Sequence, residues 1–182
     1  MRQQSHSGTC FDTLVHTSIV AFEVFSRGIG SYPDTKLPWN VEEDMRIFES
    51  YFFNPGYFPI CGYNTYKAMP SSMRSIVGVI GSRGSISSIS EAIDIASDTN
   101  TKVLVCGGES LYKEAAGDKR ITKFVENILV FKKQLGVEMN RFYTSPTWED
   151  DCNFYSKLKL IDFKDGVILN AVHVRSNPIE QC

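Results

Sequence analysis

Asp44 is the residue from which chemistry can first be argued. In the run Val41-Glu42-Glu43-Asp44-Met45-Arg46-Ile47-Phe48, positions Val41, Asp44, Met45 and Phe48 fall at i, i+3, i+4 and i+7 of a helix. The carboxylate therefore shares a face with side chains that bury. A carboxyl kept from water is pushed up from a usual pKa of about 3.9, which brings it nearer to a working proton carrier at neutral pH. Glu42 and Glu43, at the helix start, complement the macrodipole and nothing more. Trp39 lies five residues before Asp44 and follows Leu37-Pro38; standing alone it reads as a core aromatic with an indole N–H to satisfy.

A second candidate is the pair Gly107-Gly108, set between the apolar run Val103-Leu104-Val105-Cys106 and the helical run Glu109-Ser110-Leu111-Tyr112. Without Cβ atoms, a phosphate can approach backbone N–H groups at a helix start, although turns use Gly-Gly pairs constantly. Upstream, Gly28-Ile29-Gly30 opens the loop that leads to Leu37-Pro38-Trp39-Asn40.

Taken in chain order, these motifs resemble the dihydrofolate reductase family. The shared pattern is an Ile-Gly loop, Leu-Pro-Trp, an acid early in the next helix, a Gly-x-x-Thr-aromatic turn at Gly62-Tyr63-Asn64-Thr65-Tyr66, and the Gly-Gly turn followed by a tyrosine-bearing helix. It runs from Ile19 to about Phe142. The resemblance implies NADPH-dependent reduction of 7,8-dihydrofolate to tetrahydrofolate. It implies Asp44 as the acid, Trp39 holding water beside it, Met45, Phe48 and Met69 lining the folate pocket, and Arg74 pairing with the substrate's α-carboxylate. On the cofactor side it implies Ile29 and Gly30 in a mobile loop over the nicotinamide, with Gly62 and Thr65 at the turn. Gly107, Gly108, Glu109 and Ser110 would meet the pyrophosphate, Tyr112 the nicotinamide, and Ser82-Arg83 the 2′-phosphate.

The chain also departs from that pattern. Tyr63 stands where the family commonly carries arginine or lysine. A threonine sharing water with the acid would fall near Val130 or Phe131, and a loop acid near Met139 or Asn140; neither is present. With the short loop before Arg74 and the N-terminal extension, these features are similar to divergent, bacteriophage-type members. Two alternatives stay open: a catalytically weak or silent structural or interaction protein on the same fold, and a pyrimidine reductase of riboflavin synthesis. Leu-Pro-Trp with Asp44 disfavours the latter.

Strands are expected over 18–25, 57–61, 75–80, 102–106 and 123–131, where β-branched and aromatic residues gather. Helices are expected over 41–53, stopped by Asn54-Pro55-Gly56, and over 62–69, 88–97 and 108–116. A Ser88-x-x-Glu91 capping box should start the third helix. A hairpin of 151–161 and 167–175 around Asp165-Gly166 closes the chain. Together these predict a three-layer α/β fold with flanking helices, a mostly parallel central sheet and a C-terminal antiparallel hairpin. Residues 1–16 form an extension, mobile or docked, and 17–182 a single domain.

A length of 182 residues suits one domain, and 42% hydrophobic with 22% charged residues is an ordinary globular balance. A net charge of -2 gives no basic field for nucleic acid, so an anionic ligand must be held by a few local cations. Cys10, Cys61, Cys106, Cys152 and Cys182 lack metal-ligand spacing and read as reduced. No apolar run approaches a membrane span, and residues 1–8 lack the apolar core of a secretory signal, so the expected compartment is cytosolic.

Overall fold

The computed structural model describes residues 9–33, 36–146 and 154–175. The elements are α1 (Thr9–Asp12), β1 (Thr17–Glu23), β2 (Gly28–Gly30), α2 (Glu42–Phe52), β3 (Tyr57–Gly62), α3 (Tyr63–Ala68), α4 (Ser71–Arg74) and β4 (Gly78–Ile80). They continue as α5 (Ile89–Asp98), β5 (Lys102–Val105), α6 (Glu109–Gly117), β6 (Lys123–Phe131), β7 (Arg141–Phe142), β8 (Phe154–Phe163) and β9 (Gly166–Arg175).

Seven strands form one sheet in the order β4-β3-β5-β1-β6-β9-β8. The first five run parallel, and β9 joins antiparallel between β6 and β8. Parallel strands covered on both faces need no polar alternation, which is why Val103, Leu104 and Val105 of β5 are all fully buried. Successive residues serve opposite layers. Val20, Ile60, Val103 and Val105 pack with Ile89, Ala92 and Ala96 of α5 and Leu111 and Ala115 of α6. Ile19, Cys61, Leu104 and Cys106 pack with Phe52 of α2 and with Met69 and Met73 on the other side. Helix, sheet and helix make the three layers.

Where the C-terminal hairpin meets the parallel strands, Trp39 and Val41 pack on Leu129 of β6 and Ile168 of β9. This third cluster fixes the start of α2. His173 of β9 bridges Glu126 Oε1 of β6 at 3.0 Å and Ser156 Oγ of β8 at 2.7 Å.

Several local expectations shift. The strand expected over 75–80 is only β4, because Pro70 starts the helical turn α4, which runs through Arg74 to a C-cap at Ser75. The loop after β1 contains β2, paired antiparallel with β7. At α5, Ser88 Oγ accepts from Glu91 N at 3.2 Å, but the Glu91 carboxylate turns to Ser87, accepting from its N and Oγ at 2.7 Å each. The reciprocal half of the expected box is thus displaced by one residue. The closing hairpin pairs Phe163 with Gly166, leaving Lys164-Asp165 as the loop. Gly166 belongs to β9, where a Cβ would lie 2.1 Å from the Val130 carbonyl oxygen. Of the extension, residues 9–16 dock: Lys123 Nζ donates to Phe11 O at 2.7 Å and Val103 N donates to His16 Nδ1 at 3.0 Å. Residues 1–8 and Cys152 and Cys182 lie outside the described residues. Cys61 and Cys106 are buried free thiols, and burial pushes Cys61 up to about 12. Among the described residues no helix is long and apolar enough to cross a membrane.

Candidate active site

The first turn of α2 carries Glu42, Glu43 and Asp44 without a side-chain cap from Val41. Only Asp44 turns inward, and it is 5% exposed. Trp39 Nε1 donates to its Oδ2 at 3.3 Å and Asn127 Nδ2 to its Oδ1 at 2.8 Å. Burial pushes the carboxyl above the usual carboxylate value, and these two donors pull it part of the way back.

Asp44 lies in the wall of a cleft of about 1170 Å³. A drug-sized ligand fills roughly 300–1,000 Å³, so this space suits a large ligand or two smaller ones side by side. Met45 and Phe48 of α2 and Met69 before α4 line one part, joined by Met73. Met45 is half open because it faces the cleft rather than the core. Ile29, Gly30, Gly62, Thr65, Ser82, Arg83, Gly107, Gly108, Glu109, Ser110 and Tyr112 also line the cleft.

The Gly107-Gly108 turn is built for close approach. Gly107 has φ +118, and Cβ atoms there and at Gly108 would come within 3.4 and 3.1 Å of Thr65 Oγ1. Gly62 N donates to Gly107 O at 2.8 Å, tying the start of α3 to the turn. The two glycines let Thr65 close on the turn, and the backbone ahead of α6 lies in the cleft wall, the position from which free N–H groups at a helix start can hold a phosphate. Tyr112 presents its ring, while its hydroxyl donates to Ile19 O at 2.8 Å. Burial holds that phenol well above its usual range. The Glu109 carboxylate accepts from Phe142 N at 2.7 Å, so it holds β7 against α6.

Four sequence expectations change here. Ile29 and Gly30, expected in a mobile loop, lie in the short strand β2, which pairs with β7. Arg74 does not line the cleft: α4 turns Met73 inward and leaves the adjacent Arg74 exposed. The β6 side chain that meets the acid is Asn127, three residues ahead of Val130, which is itself 36% exposed. Asn127 was missed, and the signal was a polar residue inside the apolar run of β6. Where a loop acid was absent, Asn140 supplies an amide that bonds the backbone of Tyr32.

Two cations gather around Tyr63. Lys67 Nζ lies 5.1 Å and Arg83 Cζ 5.3 Å from the centre of the Tyr63 ring. The ring gathers both cations at the cleft's edge.

Fold and cleft together define a three-layer α/β protein in which the buried Asp44 and the Gly107-Gly108 turn line one cleft. Compared with known proteins, the chain matches no family model and no curated protein.

Proposed function

We propose that this chain reduces 7,8-dihydrofolate to 5,6,7,8-tetrahydrofolate with NADPH, serving one-carbon and thymidylate metabolism in the cytoplasm. The observation that carries the reading is Asp44, a buried carboxylate with two internal donors, sharing one cleft with the Gly107-Gly108 turn. NADPH, when bound, would supply the hydride. Gly107, Gly108 and the start of α6 would hold its pyrophosphate, Tyr112 its ring, and Arg83 with Lys67 its 2′-phosphate.

Asp44 acts on the other partner. Each carboxylate oxygen already accepts one internal hydrogen bond and keeps a second lone pair for a ligand. Two such oxygens match the paired N–H groups of a pterin's amino edge, and the negative charge favours the protonated ring that must receive hydride. Met45, Phe48 and Met69 give the ring apolar walls, and Arg74, exposed just outside the wall beside the cleft-lining Met73, is the candidate for a substrate carboxylate that projects from the cleft.

A spectrophotometric assay of NADPH oxidation with and without dihydrofolate tests the reading. Oxidation that depends on dihydrofolate is expected. Cofactor binding with no such oxidation would leave a silent protein on this fold.

A further inference from the structure

Asp44 is the end of a chain of side-chain amides. Asn127 Nδ2 donates to Asp44 Oδ1 at 2.8 Å, and Asn170 Nδ2 donates to Asn127 Oδ1 at 2.8 Å. Asn127 and Asn170 are directly opposed partners on β6 and β9, and Asn127 is 1% exposed. An amide has one donor end and one acceptor end, so two in series have a direction. Here every donor points toward the acid.

We propose that Asn170 and Asn127 are positioning residues that keep Asp44 ionised: Asn170 fixes Asn127 with its NH₂ against the carboxylate, so that the acid meets any ligand as an acceptor. Turning Asn127 over would bring its oxygen against Asp44 Oδ1, which is tolerable only if Asp44 is protonated. The orientation of one residue and the proton on the other are therefore coupled. Asn170 breaks the tie, because its own donor needs the Asn127 oxygen on its side. A hydroxyl at position 127 would rotate to donate or accept with equal ease; a locked amide does not.

The other groups facing Asp44 do not duplicate this control. Trp39 is an uncharged donor from the loop before α2. Tyr112 of α6, which senses the Asp44 charge, is held neutral by burial. Glu42 and Glu43 share the first turn of α2, and the charged groups elsewhere in the cleft wall are Lys36, Glu49, Arg83, Glu109, Glu114 and Arg141. These charges stay in place in every variant below, so they cancel from the comparison.

The consequence for turnover rests on the function proposed above, whereas the relay itself does not. The test is a carbon NMR titration of the full chain labelled at aspartate carboxyls, with Asp44→Asn identifying the Asp44 signal. Asn170→Leu should move the Asp44 midpoint up, and Asn127→Leu should move it up farther, since both remove support for the charged form. In the Asn127→Leu background, where no polar group links position 170 to the acid, Asn170→Leu should have no further effect. An Asp44 midpoint unmoved in folded Asn170→Leu, or an Asn170 effect of equal size in the Asn127→Leu background, overturns the relay. If the protein is a reductase, Asn170→Leu should also lower kcat/KM by roughly tenfold, the loss of one charge-supporting hydrogen bond. The titration pattern without any reductase activity would sink the functional reading and leave the relay standing.

Discussion

Asn140 clasps the backbone of Tyr32 with both atoms of its amide. Its Oδ1 accepts from Tyr32 N at 2.7 Å and its Nδ2 donates to Tyr32 O at 2.8 Å. Ser31 Oγ adds a bond to Glu138 O at 2.6 Å. These contacts hold the segment carrying Ile29 and Gly30 over the cleft.

Asn140→Ala should loosen that segment without harming the core. Two exposed hydrogen bonds are worth about 1–2 kcal/mol together at most, so NADPH affinity should fall by up to roughly tenfold. A fluorescence titration of the cofactor checks this. Unchanged affinity would mean that the clasp has no part in binding.

Asp44→Asn should keep the fold and cofactor binding while lowering turnover at neutral pH by about a hundredfold or more. The amide preserves shape but removes the charge. Turnover within a few-fold of the unmodified protein would reject Asp44 as the acid.

The same substitution has a stability signature. Burial raises the Asp44 carboxyl above its ordinary 3.8, so the stability linked to it is complete below that value and is lost as pH rises through the folded one. Thermal unfolding across pH should show the unmodified protein losing ground to Asp44→Asn over that window. Parallel curves would show that Asp44 titrates alike in folded and unfolded chains.

Arg74→Leu should raise KM for dihydrofolate far more than it lowers kcat, because a carboxylate anchor remote from the reacting carbon contributes uniform binding. Steady-state kinetics decide this. An unchanged KM would assign the substrate's tail to a cation that does line the cleft wall, such as Lys36.

Lys67 and Arg83, both against Tyr63, should read the 2′-phosphate together. Arg83→Ala and Lys67→Ala should each weaken NADPH while sparing NADH, and the preference should shrink as salt screens these exposed charges. Equal loss for both cofactors would place the two cations on the shared pyrophosphate or in a purely structural role.

The layers were legible because burial on two faces writes itself into composition. Runs such as Val103-Leu104-Val105 admit few other structures, and β6 falls over the residues expected of it. The burial of Asp44 was legible from helical periodicity, although Met45 on the same expected face opens to the cleft. What stayed hidden depends on register between distant segments. Nothing in the sequence near Asn127 or Asn170 says that they are opposed across two strands, or that one of them reaches a helix 83 residues away. The placement of Arg74 beside the cleft rather than in its wall was hidden for a related reason: neighbours on a short helix point in different directions, and sequence order alone does not say which one faces a cleft.

β9 follows β6 and β8 in the chain yet lies between them. A ribosome that has delivered every strand through β8 has still not released Asn170. Until β9 emerges and inserts, β6 presents a bare edge, the kind of surface on which nascent chains pair wrongly. Insertion covers that edge and completes the donor series at Asp44 in one event. A chain cut short before β9 would therefore lack, at one stroke, both the strand that covers that edge and the last donor in the series that leads to Asp44.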